Sequence, residues 1–274
     1  TFYTGHAESN PVDHSRDEIG QLEFAFGSMA DKLHEQFENL KKTDQLRREL
    51  VSNVSHDLRT PLASMHGYVE TLLIKNDELS ADKRREYLEI ARKHTKRLGE
   101  LIGDLFELSK LDSASIHPTV EAFSLAELLH DIVHEYELDA QRRDVKLSIE
   151  APNDAAIVYA DIGLMQRVLE NLIENAIKYT PNGGNININL DNGGNKVATH
   201  ITDTGQGIPS EDLPHIFDRF YRVDKHRQTE GTGLGLAIAK RIIQLHNSTI
   251  DVVSFPDAGT TLSFNLPSAQ FNSL

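Results

Sequence analysis

The sequence predicts a chain in two parts, an all-α coiled-coil or four-helix hairpin followed by an α+β sandwich. In the first part, apolar residues between Ile19 and Leu108 recur at alternating spacings of three and four, which is the seam of a coiled coil. After Pro118, strand-like and helix-like stretches alternate to the end of the chain. With 274 residues and 39% apolar content, the chain is long enough for about two domains with separate cores.

The composition excludes several classes of protein. A net charge of −14 argues against nucleic acid or an anionic membrane surface as the main partner, because both select basic surfaces. The absence of cysteine excludes disulfides and thiolate metal sites and fits a reducing compartment. No run approaches the roughly 18 apolar residues that span a bilayer, and the first residues lack the pattern of a signal peptide. We therefore expect the sequence as given to be soluble.

The helical part is predicted to follow a polar connector, residues 1–16, and to fold as a hairpin. The first helix runs to about Ile74, a polar segment (75–79) breaks the pattern, and Ser80 is suited to cap the second helix. The apolar seams comprise Ile19, Leu22, Phe26, Met29 and Leu33, and then Tyr87, Ala91, His94, Leu98, Leu101, Leu105 and Leu108. Because two such helices bury too little alone, we expect a four-helix homodimer with His94 packed in its seam.

The second part is predicted to contain helices beside a mixed sheet. Alternating apolar residues and turn signals mark the strands, and a 3.6-residue period marks the helices. The predicted helices are 125–143, 161–178 and 233–246, and the predicted strands are 145–150, 157–159, 186–190, 197–201, 250–255 and 261–266.

One histidine, His56, is predicted to lie on the polar side of the first long helix. Its apolar stripe comprises Val51, Val54, Leu58, Leu62 and Met65. At about 100° per residue, the imidazole points about 160° from the middle of that stripe. Asp57 beside it and Thr60 one turn later supply an acid/base neighbour and a hydroxyl, which suits a nucleophile. The alternative is an ordinary solvent-exposed histidine.

The helix that Asp161 caps carries a polar row beside its apolar face, comprising Asn171, Glu174, Asn175 and Lys178. Asparagine is a weak helix former, so two asparagines one turn apart invite a functional interpretation. Amide oxygens can bind Mg²⁺, and an ammonium group can bind phosphate. A merely solvated polar face is the alternative.

Two glycine-rich segments follow. Asp203 ends a predicted strand and leads into Gly205 and Gly207, so it could accept from the amine of adenine, although the same pattern also makes an ordinary tight turn. The segment 231–238 runs straight into a helix, whose N-terminus would favour phosphate. Between the two lies a stretch too long for an ordinary loop, with aromatic and basic residues at 217–222, and long loops over nucleotide sites are commonly lids.

These motifs together resemble the bacterial sensor histidine kinases from Asp17 to Pro267. The segment His56-Asp57-Leu58-Arg59-Thr60-Pro61-Leu62 resembles the phosphoacceptor box of that family, residue for residue. Segments resembling its N box (171–179), glycine boxes (203–209 and 231–238) and F box (216–222) follow in the family's order. Arg167, just upstream of the N box, stands where many relatives carry glutamine.

The resemblance implies three modules and their site residues. The modules are a truncated HAMP helix with connector (1–36), a HisKA-type dimerisation and histidine phosphotransfer hairpin (37–115) and a GHKL or Bergerat ATP-binding domain (118–267). Implied catalytic residues are His56, Asp57 and Thr60, and the residue matching Asn175 binds the metal. Implied nucleotide-binding residues are Asn171, Asn175, Lys178, Tyr179, Asp203, Gly205, Gly207, Ile208, Arg222, Thr232, Gly233, Leu234, Gly235 and Leu236.

The implied reaction uses ATP and Mg²⁺ to phosphorylate His56 and then transfers the phosphoryl group to an aspartate in the receiver domain of a response regulator. Thr60 would place a water for dephosphorylating that regulator, unless its hydroxyl merely bonds back to the helix. The missing first HAMP helix implies a membrane anchor upstream of residue 1, with this chain on the cytoplasmic side of a bacterial inner membrane. Two alternatives are a GHKL ATPase of another kind, which has no use for the His56 box, and a catalytically silent dimeric scaffold.

Overall fold

The computed structural model describes residues 14–75, 78–113, 116–151, 156–223 and 231–269, although several side chains before residue 52 are not described. The chain divides into two compact units, Thr1–Asp57 and Leu58–Leu274, and each is described by itself. No helix in the described ranges is long and apolar enough to cross a membrane.

In the part that the structure describes, the first unit is a single stretch of helix. Helix α1, His14–Ile74, begins in this unit and runs without a break past residues 36 and 37, where the sequence predicts a module boundary. Phe26, Met29 and Leu33 of the predicted seam are exposed, at 70%, 56% and 59%. The side chains of Ile19 and Leu22 lie outside the described residues. An exposed apolar seam is what a coiled coil presents before its partner is added.

The second unit begins with a helical hairpin. The C-terminal turns of α1 pack against α2, Ala81–Asp112, through the rings of Tyr68 and Tyr87, whose centroids are 5.2 Å apart. Ser80 caps α2 as predicted, because its hydroxyl accepts from the backbone N–H of Lys83 at 3.2 Å. Ala91 and Leu101, in the predicted seam of α2, are buried, and His94 is half-buried.

The rest of the second unit is the predicted α+β sandwich. Its helices are α3, Leu125–Arg142, α4, Ile162–Tyr179, and α5, Gly235–Leu245. Its strands are β1, Glu121–Ser124, β2, Lys146–Glu150, β3, Ile157–Ala160, β4, Asn185–Asn192, β5, Lys196–Asp203, β6, Ile250–Phe255, and β7, Gly259–Pro267. The main sheet has the order β2-β4-β5-β7-β6; β2 pairs with β4 in parallel and the other pairs are antiparallel.

The core lies between this sheet and the helices. Strands β4 and β5 alternate buried and more exposed residues, so the side chains of Ile186, Ile188, Val197 and Ile201 enter the core. Helix α4 contributes Met165, Val168, Leu169 and Leu172, and α5 contributes Ile238, Ile242 and Ile243. This packing fixes α4 and the start of α5 beside the end of β5, where the site lies.

The sequence missed one strand and misplaced one helix start. Strand β1 pairs antiparallel with β3. Because it is four residues long and shows no apolar alternation, the sequence pattern did not predict it. Helix α5 begins at Gly235 rather than at 233, because Gly233 has a φ of 73° and cannot belong to a right-handed helix.

Candidate functional site

The second unit contains a cleft formed by two adjoining cavities, which share Asn175, Ile216, Tyr221 and Leu236 in their walls. The first is an apolar cavity of about 100 Å³. Its walls include Leu172, Ala176, Ile201, Ile208, Ile216, Leu236 and Leu262. One carboxylate, that of Asp203, lines it. An apolar slot with one convergent acceptor suits a flat heteroaromatic ring that carries an amino group.

Asp203 is positioned as the sequence predicted, at the end of β5 and 8% exposed. Its Oδ1 accepts from the backbone N–H groups of Gly205 at 2.8 Å and Thr260 at 3.2 Å. Since both backbone donors converge on Oδ1, Oδ2 is the oxygen that can accept from a ligand. Burial raises the pKa of Asp203, although the two N–H donors oppose that shift. As the pH falls, Asp203 will therefore be protonated at a higher pH than an ordinary aspartate.

Gly205 and Gly207 make this turn possible. A Cβ at Gly205 would lie 2.6 Å from both Asp203 Oδ1 and the carbonyl oxygen of Tyr179. Gly207 has a φ of 68°, and a Cβ there would lie 1.9 Å from the carbonyl oxygen of Phe255. Each position thus excludes a side chain, and the turn holds Asp203 against the cavity.

The polar row of α4 passes from the apolar cavity into the second one. The side-chain amide of Asn175 donates to the carbonyl of Asn171 at 2.8 Å, and that of Asn171 donates to the carbonyl of Arg167 at 2.9 Å. With Nδ2 held in this way, Oδ1 of Asn175 is the atom that can serve as a ligand. Lys178 lines the second cavity, and its Nζ lies 4.7 Å from the centre of the Tyr179 ring.

The glycine-rich segment closes the second cavity from the other side. Gly231, Thr232, Gly233 and Gly235 line it, and α5 starts there. Gly231 lies so close to Lys178 that a Cβ would be 2.4 Å from its Nζ, and a Cβ at Gly235 would be 2.7 Å from Oδ1 of Asn171. These close approaches, with a helix N-terminus beside an ammonium group, suit a phosphate chain.

The segment resembling the F box is clamped to this glycine segment. The backbone N–H of Phe220 donates to the carbonyl of Gly233 at 2.9 Å, and Phe220 has a φ of 63°, in the left-handed region. The hydroxyl of Tyr221 donates to Asp212, and this bond raises the pKa of Tyr221. The Tyr221 ring also packs on His215, with centroids 5.4 Å apart. Tyr221 is thereby held between the two cavities.

Helix α2 supplies the remaining wall of the second cavity. Arg167 donates to Asp104 at 2.7 Å and to Glu107 at 2.9 Å. Although burial lowers the pKa of Arg167, the carboxylates of Glu107 and Asp104 raise it above its usual value. Desolvation and the nearby Glu100 raise the pKa of Glu174. In the described ranges, no group of three or more histidine, cysteine, aspartate or glutamate residues could hold a metal.

In the first unit, His56 is 80% exposed and Asp57 is 31% exposed, measured on their side chains. Nδ1 of the imidazole lies 3.1 Å from Oδ1 of Asp57. An Nδ1–H tautomer donating to that carboxylate carries its lone pair on Nε2. The structure therefore contains the predicted exposed histidine with a carboxylate beside it.

Two family profiles match the chain. Residues 46–114 match the His Kinase A (phospho-acceptor) domain, and residues 160–270 match the histidine kinase-, DNA gyrase B- and HSP90-like ATPase. The sensor histidine kinase WalK of Bacillus subtilis is 38% identical over 231 residues, which is 83% of this chain and 38% of WalK. These matches identify the chain as the core of a bacterial sensor histidine kinase.

Solved histidine kinase structures share the fold. Full-length ShkA in complex with AMPPNP has a TM-score of 0.60 and 26% identity, over 81% of this chain and 46% of ShkA. ThkA in complex with the response regulator TrrA has a TM-score of 0.68 and 24% identity, over 82% of this chain and 62% of ThkA. The chain spans between about a third and three fifths of the length of the curated relatives that it matches first.

In the structure, the nucleotide-binding residues that the histidine kinase resemblance implies fall into three groups: residues that line the cleft, residues that support it, and Arg222. Most line the cleft: Asn171, Asn175, Lys178, Tyr179, Asp203, Gly207, Ile208, Thr232, Gly233, Gly235 and Leu236. Gly205 shapes the turn behind Asp203, and Leu234 is fully buried beneath the glycine segment. Arg222 is half-buried and lines neither cavity. Residues 224–230, the rest of the predicted lid, lie outside the described residues.

Sequence reasoning missed several residues of this histidine kinase cleft. Tyr221 was predicted only as part of the aromatic and basic stretch 217–222, and the structure shows that it lines both cavities. Asp104 and Glu107 of α2 carried no signal, because α2 is rich in carboxylates and lies far from the cleft in sequence. Arg167 was noticed only as a departure from the family pattern, and the structure shows it bound to those two carboxylates.

Proposed function

We propose that the chain is the catalytic core of a two-component sensor kinase that phosphorylates itself on His56 with ATP and passes the phosphoryl group to a response regulator. The observation that carries the proposal is His56 itself, 80% exposed with Nδ1 against Asp57, in a chain that also has a Bergerat-type ATP cleft. Another GHKL ATPase would need the cleft but not this histidine. We also propose the division into modules 1–36, 37–115 and 118–267; the HAMP assignment and the location beneath a bacterial inner membrane stay predictions.

In the first step, the lone pair of Nε2 of His56 forms a bond to the γ-phosphorus of ATP. The bond from that phosphorus to the β–γ bridging oxygen breaks, and ADP leaves. Asp57, which holds Nδ1–H, stabilises the positive charge that develops on the imidazole. In the second step, a regulator aspartate takes the phosphoryl group as the P–N bond breaks and the ring returns to neutral.

The cleft binds the nucleotide in this proposal. Asp203 accepts from the adenine amine, the apolar walls hold the ring, and Lys178 with the N-terminus of α5 meets the phosphates. Asn175 would hold Mg²⁺, since amide oxygen is a ligand it accepts, and Asn175 lines both cavities. The metal would neutralise charge on the phosphates during transfer. Incubation with γ-labelled ATP, followed by acid and base treatment of the labelled protein, tests the proposal.

A second activity is proposed for Thr60, which is exposed and lies one turn beyond His56 on α1. Its hydroxyl can both donate and accept, which suits aligning a water against an acyl phosphate. We expect Thr60→Ala to keep autophosphorylation within a few-fold but to slow dephosphorylation of the phosphorylated regulator at least about tenfold, equivalent to about 1.4 kcal/mol of barrier. Phosphatase assays on purified phospho-regulator with ADP or ATP measure this.

Thr71→Ala is the matched control for Thr60→Ala, because the hydroxyl of Thr71 bonds back to the carbonyl of Gly67 at 2.7 Å in the same helix. If a lost back-bond were the cause, both variants would behave alike. Equal phosphatase rates in wild type and Thr60→Ala, or equal loss of both activities, would remove the role given to Thr60.

We propose a parallel homodimer built through residues 19–110. Apolar side chains that the described chain leaves exposed support it, including Leu62, Val69 and Leu73 on α1 and Ile102 and Phe106 on α2. We expect the whole chain to sediment as a dimer at micromolar concentration and a 118–274 fragment to be monomeric. Val69→Glu should shift the dimer toward monomer, whereas Val253→Glu on strand β6 should not. A monomeric wild-type chain would contradict the proposal.

A further inference from the structure

Helix α2 brings acidic side chains into the cavity that would hold the nucleotide's phosphates. We propose that Asp104 occupies a position that the terminal phosphates need, so that docking of α2 on the sandwich and binding of ATP oppose each other. The inference rests on the proposed function, because it takes this cleft as the ATP site of the kinase.

The first support is the hydroxyl of Thr232 in the glycine segment. It donates to Oδ2 of Asp104 at 2.7 Å, and its oxygen accepts from the backbone N–H of Leu234 at 3.3 Å. A threonine hydroxyl has only one proton to donate. While Asp104 takes that proton, Thr232 cannot donate it to a phosphate oxygen.

The second support is the charge that lines the cavity. Glu100, Asp104 and Glu107 of α2 line it together with Glu174, Arg167 and Lys178. With α2 docked, four carboxylates therefore face two cations, and a polyphosphate meets a negative surface. Without α2, one carboxylate faces two cations, and the surface favours phosphate.

The third support is the state of Arg167. Its guanidinium bonds Asp104 at 2.7 Å and Glu107 at 2.9 Å, and it lies 3.7 Å from Glu170. The side chains of Arg167, Asp104 and Glu107 are 31%, 15% and 29% exposed, so solvent screens these pairs less than surface pairs. Two of the three carboxylates that neutralise this cation belong to α2, so undocking of α2 frees much of its charge for phosphate.

A separate set of contacts holds the end of α2 outside the phosphate cavity. Arg219 donates to Asp112 at 2.7 Å, and Arg241 donates to the carbonyl of Leu111 at 3.1 Å. Asp112 lines neither cavity, so its removal weakens docking without changing the charge that a phosphate meets. This separation allows docking and local charge to be tested apart.

The test titrates AMPPNP with Mg²⁺, and separately adenosine, into the intact chain by calorimetry. Asp104→Asn keeps an oxygen for Thr232 but removes the charge, and it should tighten AMPPNP binding at least about fivefold while adenosine changes less than twofold. Asp112→Asn should tighten AMPPNP binding about twofold, because it weakens docking of α2. Glu89→Gln, which removes an exposed α2 charge paired with Arg92, should change neither affinity.

Unchanged or weaker AMPPNP binding in Asp104→Asn overturns the inference, as does an equal shift for adenosine or no effect of Asp112→Asn. Labelling of His56 is measured in parallel on the same proteins. If the wild-type chain labels His56 but the variants bind AMPPNP as tightly as wild type does, this inference is refuted and the proposed kinase reaction stands. A chain whose affinities shift as expected but whose His56 is never labelled refutes the proposed kinase reaction and leaves the competition standing.

Discussion

Replacing His56 with glutamine is expected to abolish autophosphorylation, lowering the initial rate of label incorporation from γ-labelled ATP at least about 1000-fold. Glutamine keeps a polar side chain on this exposed position but has no basic nitrogen that could attack phosphorus. In wild type, the label should be lost in acid and kept in base, as expected of a phosphorus–nitrogen bond. A thousandfold loss corresponds to about 4.1 kcal/mol of barrier.

His66→Gln is the matched control. His66 lies on the same helix, is 77% exposed and has Glu70 at 3.7 Å, so its surroundings imitate those of His56 without the family motif. It should label as wild type does. Acid-stable label in wild type, or label that survives in His56→Gln, would contradict the assignment of the phosphoacceptor. Equal loss in both variants would point to damage of the helix rather than to loss of the nucleophile.

The features that the sequence predicted well are those that local chemistry determines. Asp203 could be placed at a strand end because the apolar alternation stops just before it and two glycines follow, although that pattern also allowed an ordinary tight turn. The structure finds it at the end of β5. The row from Asn171 to Lys178 could be placed on one side of α4 from helical spacing alone. Ser80 could be placed as a cap because a serine directly before a helical pattern is a preferred N-cap residue.

The features that it could not predict depend on contacts distant in sequence. Arg167 and Asp104 are 63 positions apart, and the spacing of carboxylates along α2 does not say which of them meets another element. Strand β1 exists because β3 offers it a partner, and four residues without alternation give no warning of that. The clamp between Phe220 and Gly233 joins two segments whose order the sequence showed but whose contact it did not.

Asn175→Asp is expected to lower the rate of autophosphorylation at limiting Mg²⁺ at least about 100-fold, equivalent to about 2.7 kcal/mol of barrier. Because a carboxylate can itself bind Mg²⁺, the expected loss does not come from a missing ligand atom. It has two other causes. Asn175 Nδ2 now donates to the carbonyl of Asn171 at 2.8 Å, and a carboxylate oxygen there would face another acceptor. The new negative charge would also lie in a cavity that already contains Glu174, next to the phosphates.

Asn189→Asp is the matched control for Asn175→Asp, since it makes the same change at an exposed position on strand β4 that lines neither cavity. It should leave the rate within about twofold. Sedimentation should show both variants as dimers like wild type, because neither residue belongs to the apolar seams. If Asn175→Asp labels His56 at the wild-type rate when Mg²⁺ is limiting, neither the lost hydrogen bond nor the new charge affects the reaction, which contradicts a place for Asn175 beside the metal and the phosphates.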